Sequence, residues 1–294
     1  MRKQISMLSV LICLIATISC QKDAASDATT QLTVKVPSSV QTKAISAGEN
    51  VNILHYEIWN EAKTVMHSAH FCEMPESGET TILLQLVKGA KYNIVFWAQD
   101  DDVTVYTWDN LKLINIDYSS FGTGNKDCYD AFYSVVPITG GEMTNPVLLK
   151  RPFAQLNFFT TSMTTTLGDF TMKSNSITID HVASVFNALE GKPELIGEGE
   201  SIIFEAGEGL VEEKKENEDY WLSMNYLLPI AAYSDVTVIG SFTTSQGSVS
   251  HTISSVPLGM NYKTNIRGEL LAGSTQLTVK IEPNFVDEEY EKEW

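Results

Sequence analysis

The chain has 294 residues, of which 43% are hydrophobic and 10% aromatic, and it carries a formal charge of −17. So much apolar material supplies a sizeable core and excludes a disordered chain, and the length suggests two domains. A surface this acidic repels phosphate backbones, which argues against nucleic-acid binding.

The first element is a leader. Residues 1–19 begin with Arg2 and Lys3, run through the apolar "MLSVLICLIATIS" and stop at Cys20, after which "QKDAASDATT" is small and polar. That is the pattern of an export signal. A leader that ends at a small residue before cysteine resembles a bacterial lipoprotein signal, in which Cys20 becomes the lipidated first residue and residues 20–30 a flexible tether. The alternative is a plain secretory signal that happens to contain Cys20. No later segment approaches the roughly 20 apolar residues of a membrane helix. Loss of Arg2 and Lys3 takes the charge to −19, because the leader holds no Asp or Glu. Of four cysteines, Cys13 leaves with the leader and Cys20 takes lipid, so Cys72 and Cys128 are a possible disulfide in an oxidising compartment.

From residue 31 the chain reads as strand after strand. "QLTVKV" (31–36) alternates apolar and polar, with Leu32, Val34 and Val36 on one face. "VNILHYEIWN" (51–60), "TTILLQLV" (80–87), "KYNIVFWAQ" (91–99), "VTVYTW" (103–108) and "AFYSVVPI" (131–138) follow, and "VKGAKY" (87–92) reads as a hairpin turn with Gly89 at positive φ. A second series runs through 146–161, 176–187, 201–206, 220–232, 235–244, 249–256 and 276–283. The charge run "VEEKKENED" (211–219) lies within it and reads as a solvated loop or hairpin tip. The last segment, "QLTVKIEP", repeats the first five residues of the opening strand and places Leu277, Val279 and Ile281 where that strand has Leu32, Val34 and Val36. Enrichment in β-branched and aromatic residues, with turn residues every eight to twelve positions, predicts an all-β chain of two antiparallel β-sandwich domains in tandem, 31–148 and 149–283, ahead of an acidic tail at 284–294.

Chemistry is sparse along these strands. The five histidines are scattered, no HExxH, GxSxG or GxxxxGKS motif occurs, and neither a metal nor a cofactor is implied. His67 and His70 in "HSAHFC" are an odd number of residues apart, so a regular strand would point them to opposite faces. The acidic triplet Asp100–Asp102 lacks the spacing of a calcium loop and reads as a turn. "FGTGN" (121–125) lacks the strand and helix that flank a phosphate loop. Trp97, Trp108 and Trp221 are the tryptophans that could stack on a sugar, although the apolar run around Trp97 favours its burial.

Several segments carry a resemblance: "LVKGAKYNIVFWAQ" (86–99), "DAFYSV" (130–135), "LKRPFAQLNF" (149–158), "YLLPIAA" (226–232) and "NYKTNIRGELL" (261–271), all downstream of the leader. Together they resemble the fimbrillin-like lipoproteins, the type V pilus subunits of Bacteroides-type bacteria. The resemblance implies two transthyretin-like β-sandwiches in a surface fimbrial or adhesin-type subunit without enzymatic activity, held by outer-membrane lipid through Cys20. It further implies that a trypsin-like protease removes the first strand and that a strand from a neighbouring subunit fills the vacated groove. The implied processing bond is Lys43–Ala44 in "SSVQTKAIS" (38–46), unless Lys43 is simply an exposed loop residue. Leu32, Val34 and Val36 would be the removable plug, and Leu277, Val279 and Ile281 the donor type. If the bond stays intact, the alternatives are a lipid-retained anchor subunit or a monomeric surface lipoprotein that binds a glycan or host protein.

Overall fold

The computed structural model describes residues 26–37, 50–121, 127–165, 168–169, 171–197, 199–206, 215–216, 219–272 and 277–283. Its first half contains β1 (Asp27–Lys35), β2 (Ile53–Asn60), β3 (Met66–Glu73), β4 (Glu79–Val87), β5 (Lys91–Gln99), β6 (Tyr106–Thr107), β7 (Ile114–Ile116), β8 (Phe132–Thr139) and β9 (Val147–Leu148). The second half contains β10 (Ala154–Thr160), β11 (Thr164–Thr165), β12 (Gly168–Asp169), β13 (Met172–Ala183), β14 (Val185–Asn187), β15 (Lys192–Glu194) and β16 (Glu200–Ala206). It continues with β17 (Lys215–Glu216), β18 (Asp219–Pro229), β19 (Tyr233–Thr244), β20 (Gly247–Gly259), β21 (Tyr262–Gly268) and β22 (Leu277–Pro283). Among the described residues the helical turns are all short 3-10 segments.

In the first half a four-stranded antiparallel sheet, ordered β3-β2-β5-β8, faces a three-stranded sheet, ordered β4-β1-β9. Strict alternation on β1 and β4 puts Leu32, Val34, Ile82, Leu84 and Leu86 inward against Leu54, Ile58, Ile94, Phe96 and Phe132, and this is the first core. The turn at 87–92 has Gly89 at φ 75 as expected, yet it is not a hairpin. β4 pairs with β1 whereas β5 pairs with β2 and β8, so the turn carries the chain from one sheet to the other.

The second half is a sandwich whose layers are continuous at one corner. β22, β21, β10 and β18 form one layer, and β13, β16, β19 and β20 the other; β18 joins them where Pro229 and Leu228 pair with Val182 and Ala183. Leu156, Phe158, Leu222 and Ile266 of the first layer close on Ile177, Ile179, Val238 and Phe242 of the second. Within the charge run, Lys215 and Glu216 pair antiparallel with Tyr220 and Asp219 at the start of β18, and the rest of the run up to Glu218 lies outside the described residues.

A third core lies between the sandwiches. Trp59, Val95, Trp97 and Tyr133 turn outward from the N-terminal four-stranded sheet and meet Phe153, Phe159, Phe186, Met224 and Tyr226. A small sheet ordered β15-β14-β7-β6 draws two strands from each half and seals this junction. The expected strand at 103–108 contracts here to Tyr106–Thr107. Glu57 holds the covering loop: its Oε1 accepts from the Leu111 N–H at 2.9 Å and its Oε2 from Trp59 Nε1 at 2.9 Å. Burial pushes this carboxyl above its ordinary range while the two hydrogen bonds pull it down. Glu57→Ala is therefore expected to lower stability by about 1–3 kcal/mol in urea denaturation, because two buried donors lose their acceptor.

Candidate functional site

β1 occupies the middle of its sheet, antiparallel to β4 along nine residue pairs and parallel to β9 at Val34↔Val147 and Lys35↔Leu148. The inward side chains are fully sealed, with Leu32 and Val34 at 0% exposure and Val36 at 6%. Outward, Thr33 meets Thr81 at 3.4 Å and Lys35 pairs with Glu79 at 2.7 Å, both at the solvent surface, where such contacts add little. The ends of the strand are pinned by backbone groups: Val36 N–H donates to Gly78 O, Leu149 N–H donates to Lys35 O, and Gly141 N–H donates to Thr30 Oγ1, each at 2.8 Å. Gly141 sits at φ 83, and a Cβ there would lie 2.9 Å from that of Ala28, so the bend beneath β1 requires glycine. Taking β1 away would separate β4 from β9 and open a trough floored by the apolar side chains of β2 and β5.

The second copy of the repeated sequence has a different setting. Among the described residues β22 pairs only with β21, at the edge of its sheet, from Leu277↔Gly268 to Pro283↔Tyr262. Leu277 packs against the second core and Ile281 is half-buried, but Val279 is 37% exposed. Aliphatic side chains that are sealed in β1 are thus partly wasted on solvent in β22. Equivalent residues of the two copies have unequal amounts still to gain from burial.

Other expected features fall as follows. Cys20, Lys43, Ala44 and the tail at 284–294 lie outside the described residues, as do most of the glycine-rich positions after Phe121. Cys72 packs beside the first core and Cys128 beside the third, and no disulfide joins them: the expected pairing is corrected, because the cysteines belong to separate cores. The opposite-face argument for His67 and His70 also fails. A bulge between Ser68 and Met66 breaks the alternation, so His67 packs against Tyr92 and His70 against Tyr56 on one face. Among the described residues no three His, Cys, Asp or Glu side chains gather as metal ligands. Asp100 caps its own turn, its Oδ1 accepting from Asp102 N–H at 3.1 Å and from Asn52 Nδ2 at 3.3 Å. Trp97 and Trp221 are buried at 0% and 6%, which leaves Trp108 alone of the three near the surface.

These features define an all-β protein of two mainly antiparallel sandwiches, with parallel pairs at β1–β9 and β10–β21, that share a junctional core. The chain belongs to the family described as a family of unknown function (DUF6562), whose profile matches residues 22–294. No curated protein matches it. Among solved structures it is similar to a candidate adhesin from Bacteroides thetaiotaomicron, with TM-score 0.56 and 9% identity over 90% of this chain and 98% of that one. It is also similar to a candidate cell adhesion protein from Bacteroides uniformis, with TM-score 0.53 and 14% identity over 86% and 99% of the two chains. Candidate polysaccharide-binding proteins of Bacteroides thetaiotaomicron give TM-score 0.51 and 12% identity over 86% and 98%. At these identities the likeness is one of fold.

Proposed function

We propose that this protein is a non-enzymatic, surface-exposed subunit of fimbrial or adhesin type, exported as a lipoprotein through Cys20 and assembled by exchange of its first strand. The observation that carries the reading is the unequal placement of one repeated sequence: sealed in the centre of a sheet as β1, and half-exposed at a sheet edge as β22. Cleavage after Lys43 would free the segment that holds β1, and Leu277, Val279 and Ile281 of a neighbouring subunit would enter the trough, where main-chain pairing supplies affinity and three apolar pockets supply register. The subunit's partners would be other fimbrial subunits, outer-membrane lipid and a host glycan or protein. The fold it shares with candidate adhesins supports this assignment, as does the fimbrillin-like pattern of its segments.

Limited trypsin digestion tests the proposal, with the new N-terminus read by mass spectrometry and assembly by light scattering. Cleavage after Lys43 followed by oligomer growth is the expected result, and Lys43→Ala is expected to block both. Cleavage there that leaves a stable monomer would sink strand exchange.

A further inference from the structure

One cross-strand row of the N-terminal four-stranded sheet is aromatic throughout. Phe71 on β3 stands opposite His55 on β2, His55 opposite Trp97 on β5, and Trp97 opposite Tyr133 on β8. Directly opposed residues share a face, so all four turn away from the first core. The second half of the chain covers the inner end of the row, burying Trp97 and Tyr133 against Phe153 and Phe186. The outer end is left in solvent. Phe71 is 72% exposed, with its ring 6.1 Å from that of His55, and Trp108 meets His55 edge-on at 5.0 Å. Beside them Asn52 and the 100–102 turn are locked together, Asp101 N–H donating to Asn52 Oδ1 at 2.8 Å, and the Asp101 carboxylate lies close enough to act on the charge of His55.

We infer that Phe71, His55 and Trp108 form a shelf for a neutral sugar ring, with Asp101 and Asn52 binding its hydroxyls. A pyranose has an apolar C–H face and a rim of hydroxyls, so it needs a fixed aromatic surface next to carboxylate and amide groups, and this corner supplies both. β-sheet pairing holds the backbones of Phe71 and His55 in register, and Trp108 packs against the junctional core. Charge selects among glycans. The chain carries −17 overall, and the five groups at the shelf include no Lys or Arg, so uronic or sialic acids are repelled whereas neutral hexoses are not. The shelf rests on the reading of the chain as a surface subunit only in that surface display brings it to a glycan.

The test is titration of the purified protein with the hexaoses of glucose, mannose and galactose, and with hexagalacturonate, followed by tryptophan fluorescence and calorimetry. At least one neutral hexaose is expected to bind saturably and hexagalacturonate is not. Phe71→Ala, at a position open to solvent, is expected to weaken that binding tenfold or more with Tm unchanged, and Asp101→Asn to weaken it several-fold. Absence of saturable binding by all three neutral hexaoses overturns the inference, as does affinity untouched by Phe71→Ala. So does sedimentation showing that β3 pairs with a second copy through Phe71. Glycan binding that fails while trypsin-triggered assembly proceeds removes the shelf and leaves strand exchange standing; the converse removes strand exchange alone.

Discussion

A chain lacking residues 26–37 is expected to lose its stable monomeric fold and to recover it when a peptide of residues 276–285 is supplied in trans. Leu32, Val34 and Val36 are almost wholly sealed, and burial of three such side chains contributes about 5–9 kcal/mol at about 1.5–3 kcal/mol each. That approaches the whole net stability of a typical domain, about 5–15 kcal/mol. The loss is larger than the side chains alone indicate, because β1 is the middle strand and its departure also strips β4 and β9 of their partners. Urea denaturation and sedimentation would measure the outcome. A truncated chain that stays monomeric with its urea midpoint unmoved would show that β1 is dispensable and would end the strand-exchange reading. A peptide with Leu277, Val279 and Ile281 changed to serine is expected not to rescue, since it keeps the main-chain pairing but has nothing to fill the pockets.

The second large effect is expected at the junction. Arg151, in the link between β9 and β10, donates through Nε to both oxygens of Asp130 at 3.0 and 2.7 Å, and each side chain is 3% exposed. The guanidinium also lies over the Phe132 ring at 4.5 Å. Replacement with methionine fills similar space but leaves a carboxylate buried without its cation, a loss of about 3–5 kcal/mol. Burial pushes the Asp130 carboxyl up to about 7, with Arg151 pulling the other way. A carboxyl raised on folding contributes stability that is complete below its unfolded pKa of about 4 and is lost as pH rises through the folded value. The penalty of Arg151→Met is therefore expected to be largest near pH 8 and to shrink towards pH 5, where Asp130 takes a proton. Thermal melts across that range, with Asp130→Asn as the variant whose profile flattens, would check both sign and size.

The strands were legible because a period of two is visible wherever one face is buried, as in β1, β4 and β19. Legibility failed where tertiary contacts decide. β21 is buried on both faces over Lys263–Ile266, so "YKTNIRG" shows no alternation to mark it as a strand. Residues 185–187 belong to the single expected strand 176–187, yet they form a separate strand, β14, that pairs with β15 and, across the halves, with β7, a contact that no local window contains. The inward residues of β1, Leu32 and Val34, could be named from their alternation, since a central strand obeys it strictly. The aromatic shelf could not, because Phe71, His55 and Trp108 come from three segments that only the fold brings together. The bulge at His67 left no trace in composition either; it changes which residues share a face without changing any residue.

The small sheet built from both halves has a mechanical consequence. Two sandwiches tied only by the link at 149–153 would swivel and could come apart one after the other under load. Here β7 is hydrogen-bonded to β14, Tyr118 Oη donates to Ala183 O at 2.9 Å, and Lys63 Nζ donates to Leu189 O at 3.0 Å, all across the seam. Tension entering at β1 and leaving at β22 must therefore shear this seam and the aromatic core beneath it before either sandwich can rotate. The two sandwiches thus form one stiff unit, and if the chain assembles as proposed, the compliance of the resulting filament resides in the joints between subunits.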